Sequence, residues 1–296
     1  MSRIACVQPT CFNDALAYAL GQIGWLATPK WRRYMAKENV KECLGVSETE
    51  AERIAKESVT RFGRMLIEVL RYPLINQANF RNLVHFEGLE HLEEAYAEGR
   101  GVIMCTAHYG NWEMLGASMA LLGYPILSIT RKQNDGDADR FINEYRQMVG
   151  QHVTYNHGKS SMLSIGRYLK DKHLVGILYD QDSAHTGEHL ELFGKPARVP
   201  DGAAQLARVF KAPIVPLFMH NQPDGTLTAV IHPCFHADPQ LSREENSHVI
   251  MEKLIRIAEE EIRRDPAMWF WVHDRWKDGK RRYRDRKHFS TPMTGN

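Results

Sequence analysis

At 296 residues and 34.0 kDa the chain outgrows the commonest domain size without filling two, so one large domain or a domain with an appendage is expected. Apolar residues make up 43% and charged residues 25%, a balance that excludes a disordered, collagenous or multi-spanning membrane protein. The net charge of +2 conceals an asymmetry: residues 275–288 hold eight Lys/Arg against two acids, a local +6 that leaves −4 elsewhere. Such a run meets phosphate, an acidic protein or a membrane surface, unless it is merely a solvated tail.

The five cysteines, Cys6, Cys11, Cys43, Cys105 and Cys234, are scattered and never form a Cys-x-x-Cys pair. A disulfide frame or structural zinc site is therefore not expected, and a reducing, cytoplasmic setting is. Leu16, Leu20, Ile23 and Ala27 recur at spacings of four and three and predict an amphipathic helix from Phe12 to Pro29, followed by Trp31, Arg32, Arg33 and Tyr34. Gly21, Gln22 and Gly24 interrupt it, and it is too short to span a bilayer, so any membrane contact is expected from the surface. A second helix opens at Ser47, with Glu50 in capping-box position, and stops at Pro73.

From Val84 the pattern changes. Short apolar runs at 102–107, 125–130, 153–155, 174–179 and 213–219 alternate with helical stretches at 89–98, 112–122, 138–149, 162–170 and 203–210. This alternation predicts an α/β fold with a mostly parallel central sheet flanked by helices, preceded by an N-terminal helical segment. Residues 226–231 predict an edge strand and 242–264 a long charged helix. The expected organisation is a helical segment over 1–80, the α/β domain over 81–277 and a basic tail over 278–296.

Ligands of open α/β sheets bind beyond the carboxyl ends of the strands, so the residues after each apolar run form the candidate inventory: His108, Arg131, Asn156, Asp180 and His220. His108 is followed five positions later by Glu113. The same spacing occurs at His85/Glu90 and His273/Asp278, and on a regular helix it leaves the side chains about 140° apart. They can meet only where the imidazole sits on a loop entering a helix. His108 alone has a strand before it, Gly110 to turn on and a helix after it. A carboxylate on one ring nitrogen fixes the tautomer and leaves the other nitrogen to take a proton from an alcohol. With no Gly-x-Ser-x-Gly elbow, direct attack by a substrate hydroxyl is simpler than a covalent enzyme intermediate.

The run Gly101-Val-Ile-Met-Cys-Thr-Ala-His108-Tyr-Gly-Asn-Trp-Glu113 resembles the His-x4-Asp/Glu signature of the bacterial lipid A biosynthesis late acyltransferases. Further blocks follow in that family's order: Arg131, Tyr179-Asp180-Gln181-Asp182, Leu192-Phe193-Gly194-Lys-Pro-Ala, Val215-Pro216 and Trp271-Val-His273-Asp-Arg275-Trp-Lys277. The resemblance covers about Val84 to Lys277. It implies a glycerolipid acyltransferase-like fold and O-acyl transfer from an acyl carrier protein or coenzyme A thioester to a phosphorylated glycolipid, a lipid A precursor, at the cytoplasmic face of the bacterial inner membrane. His108 would be the base and Glu113 its partner. Arg131, Asp180, Asn111 and Arg198 would contact substrate, and no cofactor or metal would be needed. Family members carry a more continuous N-terminal hydrophobic anchor than this chain, which implies a peripheral or monotopic association with the membrane surface.

Other readings use other residues. A phosphatidylinositol mannoside, another glycolipid or a lysophospholipid would serve equally as acceptor. His185-Thr-Gly-Glu188-His189 matches the inverted zinc-hydrolase motif, but that motif needs a helix which Gly187 opposes. No recognised nucleic-acid motif accompanies the basic run, so no nucleic-acid partner is expected.

Overall fold

The computed structural model describes residues 2–132, 135–156, 158–182, 187–277, 280 and 282–284. Its first part is helical: α1 (Ser2–Val7), α2 (Thr10–Ala27), α3 (Lys30–Leu44) and α4 (Glu48–Leu70). The expected helix before Pro29 is α2, and Ser47 caps α4 by accepting from the Glu50 amide at 3.2 Å. The sequence reading lacked α3, which starts afresh after Pro29 and ends at Gly45 in the left-handed region.

The strands that follow are β1 (Val84–Glu87), β2 (Val102–Thr106), β3 (Ile126–Thr130), β4 (Gln151–Tyr155), β5 (Leu174–Leu178), β6 (Glu188–Leu192), β7 (Lys195–Val199), β8 (Ile214–Asn221) and β9 (Leu227–Ile231). Between and after them run α5 (Leu89–Ala97), α6 (Trp112–Leu121), α7 (Gly136–Met148), α8 (Lys159–Lys170), α9 (Gly202–Phe210) and α10 (Arg243–Arg264). Seven strands form one sheet in the order β1-β9-β8-β2-β5-β3-β4. All its ladders are parallel except β8 with β9. The expected α/β architecture is thus present. The assignment of residues 226–231 to the sheet edge is corrected, because β1 pairs outside β9 with Val84 opposite Leu227.

Central β2 is buried throughout, and its successive side chains enter opposite layers. Ile103 and Cys105 join a core with α3, α4, α9 and α10, while Val102 and Met104 join another with α5 and α6. The N-terminal helices belong to the same body: Ile67, Val69 and Leu70 of α4 enter the second core. β6 and β7 form a separate antiparallel hairpin whose Phe193, in the turn, packs against Trp269 and Trp271 at 6.2 and 6.0 Å.

Candidate active site

The sheet brings two chain segments together at one end. Parallel pairing of β2 with β5 sets Thr106 opposite Leu178, so two further residues take the chains to His108 and Asp180 at the same sheet end. The imidazole Nδ1 lies 2.7 Å from Asp180 Oδ1. The indole Nε1–H of Trp269 donates to the other carboxylate oxygen at 2.8 Å. Burial works to raise the Asp180 carboxyl, but the imidazole and the indole outweigh it and hold the group down at about 2. At neutral pH Asp180 is therefore ionised and can only accept, so Nδ1 carries the ring proton and Nε2 presents its lone pair. Nε2 has no hydrogen-bond partner among the described residues, and the His108 side chain is 23% exposed while Asp180 is sealed.

The backbone holds this pair in place. His108 accepts from the Phe270 amide at 3.1 Å, and the Gly110 amide donates to Met268 at 3.0 Å, clipping the β2–α6 turn to the segment after α10. Gly110 has φ of 57°, and a Cβ there would stand 1.7 Å from the Met219 carbonyl oxygen, so only glycine fits. Trp112 packs its ring edge-on to His108 at 5.0 Å.

The pairing of His108 with Glu113 expected from the spacing is not formed. Glu113, on the first turn of α6, faces α7 and receives both arms of the Arg146 guanidinium at 2.6 and 2.8 Å, a nearly sealed bidentate ion pair. Asn111, expected to contact substrate, caps α6 by accepting from the Met114 amide at 2.8 Å, and its amide donates to Glu68 on α4. It is 1% exposed, so its polar atoms serve the helix junction. Arg131 follows β3 directly and is exposed at the same sheet end as the His108–Asp180 pair. Arg198 belongs not to that sheet but to the β6–β7 hairpin, opposite His189.

Of the strand-end inventory, His220 instead falls inside β8, buried. Its Nε2 meets Glu261 of α10 at 2.8 Å, and His232 meets the other Glu261 oxygen at 2.9 Å. Burial opposes ionisation of Glu261, but the two imidazoles prevail and keep it at about 2. Tyr109, next to His108, donates to the Glu261 backbone carbonyl at 3.1 Å, joining this buried cluster to the turn. The zinc reading loses its helix: Glu188 and His189 stand on strand β6, while His185 lies outside the described residues. Among the described residues no three His, Cys, Asp or Glu side chains are grouped to hold a metal.

Beside Trp112 a cleft opens between α6 and strands β2, β3 and β5. Thr106, Ile126, Ile129 and Leu178 line it, with the neutralised Glu113–Arg146 pair in its wall.

Residues 10–278 match the family described as bacterial lipid A biosynthesis acyltransferase. The chain belongs to that family. Lipid A biosynthesis palmitoleoyltransferase of Escherichia coli K12 is 26% identical over 262 residues, 86% of this chain and 83% of that one. Phosphatidylinositol mannoside acyltransferase of Mycobacterium tuberculosis H37Rv is 27% identical over 223 residues, 68% of this chain and 70% of that one. A lipid A biosynthesis acyltransferase of Haemophilus influenzae is 24% identical over 272 residues. The protein is thus an O-acyltransferase of the lipid A family.

Two partners in the candidate site escaped the sequence reading: Trp269 as donor to Asp180 and Arg146 as partner of Glu113. Asp180 carried a signal, its place two residues beyond a strand neighbouring the one before His108. The tryptophan carried none, because its position depends on how the chain returns after α10.

Proposed function

We propose that this acyltransferase moves a fatty acyl chain from an acyl carrier protein or coenzyme A thioester to a hydroxyl of a phosphorylated glycolipid, with a lipid A precursor as acceptor. The observation that carries the reading is the His108–Asp180–Trp269 chain opening beside an apolar cleft. His108 Nε2 takes the acceptor hydroxyl proton as the oxygen attacks the thioester carbonyl. The C–O bond forms, and the imidazolium, held by Asp180, returns the proton to sulfur as the C–S bond breaks. No covalent enzyme intermediate is required. The acyl chain occupies the cleft along α6, and exposed Arg131 faces the anionic parts of the substrates. The similarity to the mycobacterial enzyme favours, as a second reading, a phosphatidylinositol mannoside as acceptor.

The N-terminal helices support action at a membrane surface. α2 turns its small face inward: Gly21 lies against Thr60, and Gly63 of α4 against Ala17. Its large apolar side chains, Phe12, Tyr18, Ile23 and Leu26, are left exposed together with Ile4 and Val7 of α1. No described helix is long and apolar enough to cross a membrane. A face of this kind suits the lipid interface.

The test is incubation with a panel of acyl carrier protein and coenzyme A thioesters and membrane glycolipids, followed by mass spectrometry. An acylated glycolipid formed by the wild type and not by His108→Ala is expected. Folded protein presented with membrane that acylates none of the acceptors overturns the reading.

A further inference from the structure

The segment after Trp269 contains a group that folding alone does not explain. Arg275 is 2% exposed, yet Nε, Nη1 and Nη2 all lack a hydrogen-bond partner among the described residues. Nearby in sequence, the buried His273 Nε2 and Trp276 Nε1 also lack one. A guanidinium carries five N–H donors and keeps its charge in proteins, so sealing it without a partner is among the costliest arrangements a side chain can adopt. Such a group calls for a functional explanation, and an anion that completes its hydrogen bonds is one.

The surroundings place this unused donor set beside the reaction centre. Trp276 packs against Trp269, the indole that holds Asp180, with ring centroids 6.4 Å apart. Lys277 pairs with Asp182, two residues beyond Asp180. Arg275 feels the charges of Asp180 and Asp182, but both carboxylates are engaged elsewhere, Asp180 by His108 and Trp269 and Asp182 by Lys277. His273 feels the charges of Asp180, His108 and Arg275 and is kept neutral by burial. The donor set is therefore cationic, uncompensated by direct contact and adjacent to the imidazole.

We infer that Arg275, with His273 and Trp276 beside it, receives a phosphate oxyanion of the substrates. The planar fork of the guanidinium matches two oxygens of a tetrahedral phosphate, which an ammonium cannot do. The inference rests on the acyl-transfer reading, in which phosphate arrives from two sources, the phosphopantetheine arm of the donor and the head group of the acceptor. Admission requires a small shift of the segment. The Asp182–Lys277 pair, whose lysine side chain is 57% exposed, is a weak tether against it.

The first measurement is thermal unfolding with inorganic phosphate and pyrophosphate, which needs no turnover. Wild type and His108→Ala gain stability from these anions, whereas Arg275→Gln does not; without anion Arg275→Gln is at least as stable as wild type, since it removes an unpaired buried charge. If Arg275→Gln does not fold, Arg275→Lys replaces it and binds phosphate about tenfold more weakly than wild type. The second measurement compares phosphopantetheine with pantetheine thioesters, and phosphorylated with dephosphorylated glycolipid. One of the two deletions lowers wild-type kcat/KM by about tenfold or more, mainly through KM, and Arg275→Lys loses that discrimination. Equal phosphate stabilisation in wild type and the Arg275 variant overturns the inference. So does an Arg275→Lys loss that is the same on phosphorylated and phosphate-free substrates, the signature of a purely structural residue. Failure to acylate any glycolipid would sink the functional reading while leaving the phosphate measurement to judge Arg275.

Discussion

At the scale of single residues, strand register chooses the carboxylate for His108. Thr106 and Leu178 stand opposite each other, and equal extensions beyond them deliver His108 and Asp180 to hydrogen-bond distance. Glu113 lies on α6 and is drawn to Arg146. The two acids therefore fail differently when neutralised. Asp180→Asn removes the acceptor that fixes the tautomer, and kcat is expected to fall by about 10²–10⁴ in protein that remains folded, measured by steady-state acyl transfer beside circular dichroism. Glu113→Gln leaves the Arg146 guanidinium buried without its counter-ion, and a stability loss of about 3–5 kcal/mol is expected in urea unfolding. Combining it with Arg146→Met should recover most of that loss. An Asp180→Asn enzyme as fast as wild type would show that the observed pair is not the working one.

At the scale of elements, two surfaces are built by what helices and strands leave unfilled. α2 lies close against α4 because Gly21 and Gly63 remove the side chains that would separate them, and the larger residues of α2 then have only the outside to face. Ile23→Asp with Leu26→Asp, both exposed, should leave the melting temperature nearly unchanged and abolish sedimentation with anionic phospholipid vesicles; undiminished binding would remove α2 from the interface. The cleft is open beside Gly176 of β5, where an added Cβ meets Ser128 and Ile126 only at 3.4 to 3.8 Å. Gly176→Leu should fill it and shift the preferred acyl thioester to shorter chains. Each methylene refused burial costs about 0.8 kcal/mol in transition-state binding, visible in the masses of products from mixed donors.

At the scale of the whole molecule, His273, Glu261 and Asp180 link stability to pH in the same direction, opposed by Glu68, whose carboxyl burial pushes up. Burial holds the native His273 near 4, below its ordinary 6.5, so unfolded protein binds the extra proton and stability falls as pH drops from about 6.5 to 4. Glu261 and Asp180, both near 2 against ordinary values of 4.5 and 3.8, contribute stability that is complete above those values and lost as pH falls towards 2. Each group contributes on the order of 2 kcal/mol. Urea midpoints measured from pH 7 to 3 should fall more steeply between pH 6.5 and 4 for wild type than for His273→Gln; a variant profile that falls as steeply as wild type contradicts the sign.

The sequence by itself determined the α/β alternation, the cap at Ser47, the turn at Gly110 and the imidazole beyond the second strand, because these depend on periodicity and chemistry within a few residues. The family blocks were legible for the same reason. Only the tertiary structure decided that Asp180 rather than Glu113 meets His108, that Trp269 supports it, that β1 covers the edge of β9, and that Arg275 is sealed without a partner among the described residues. Those contacts join residues tens to hundreds of positions apart. Strand register and the return of the chain after α10 fix them, and spacing along the sequence carries no information about either.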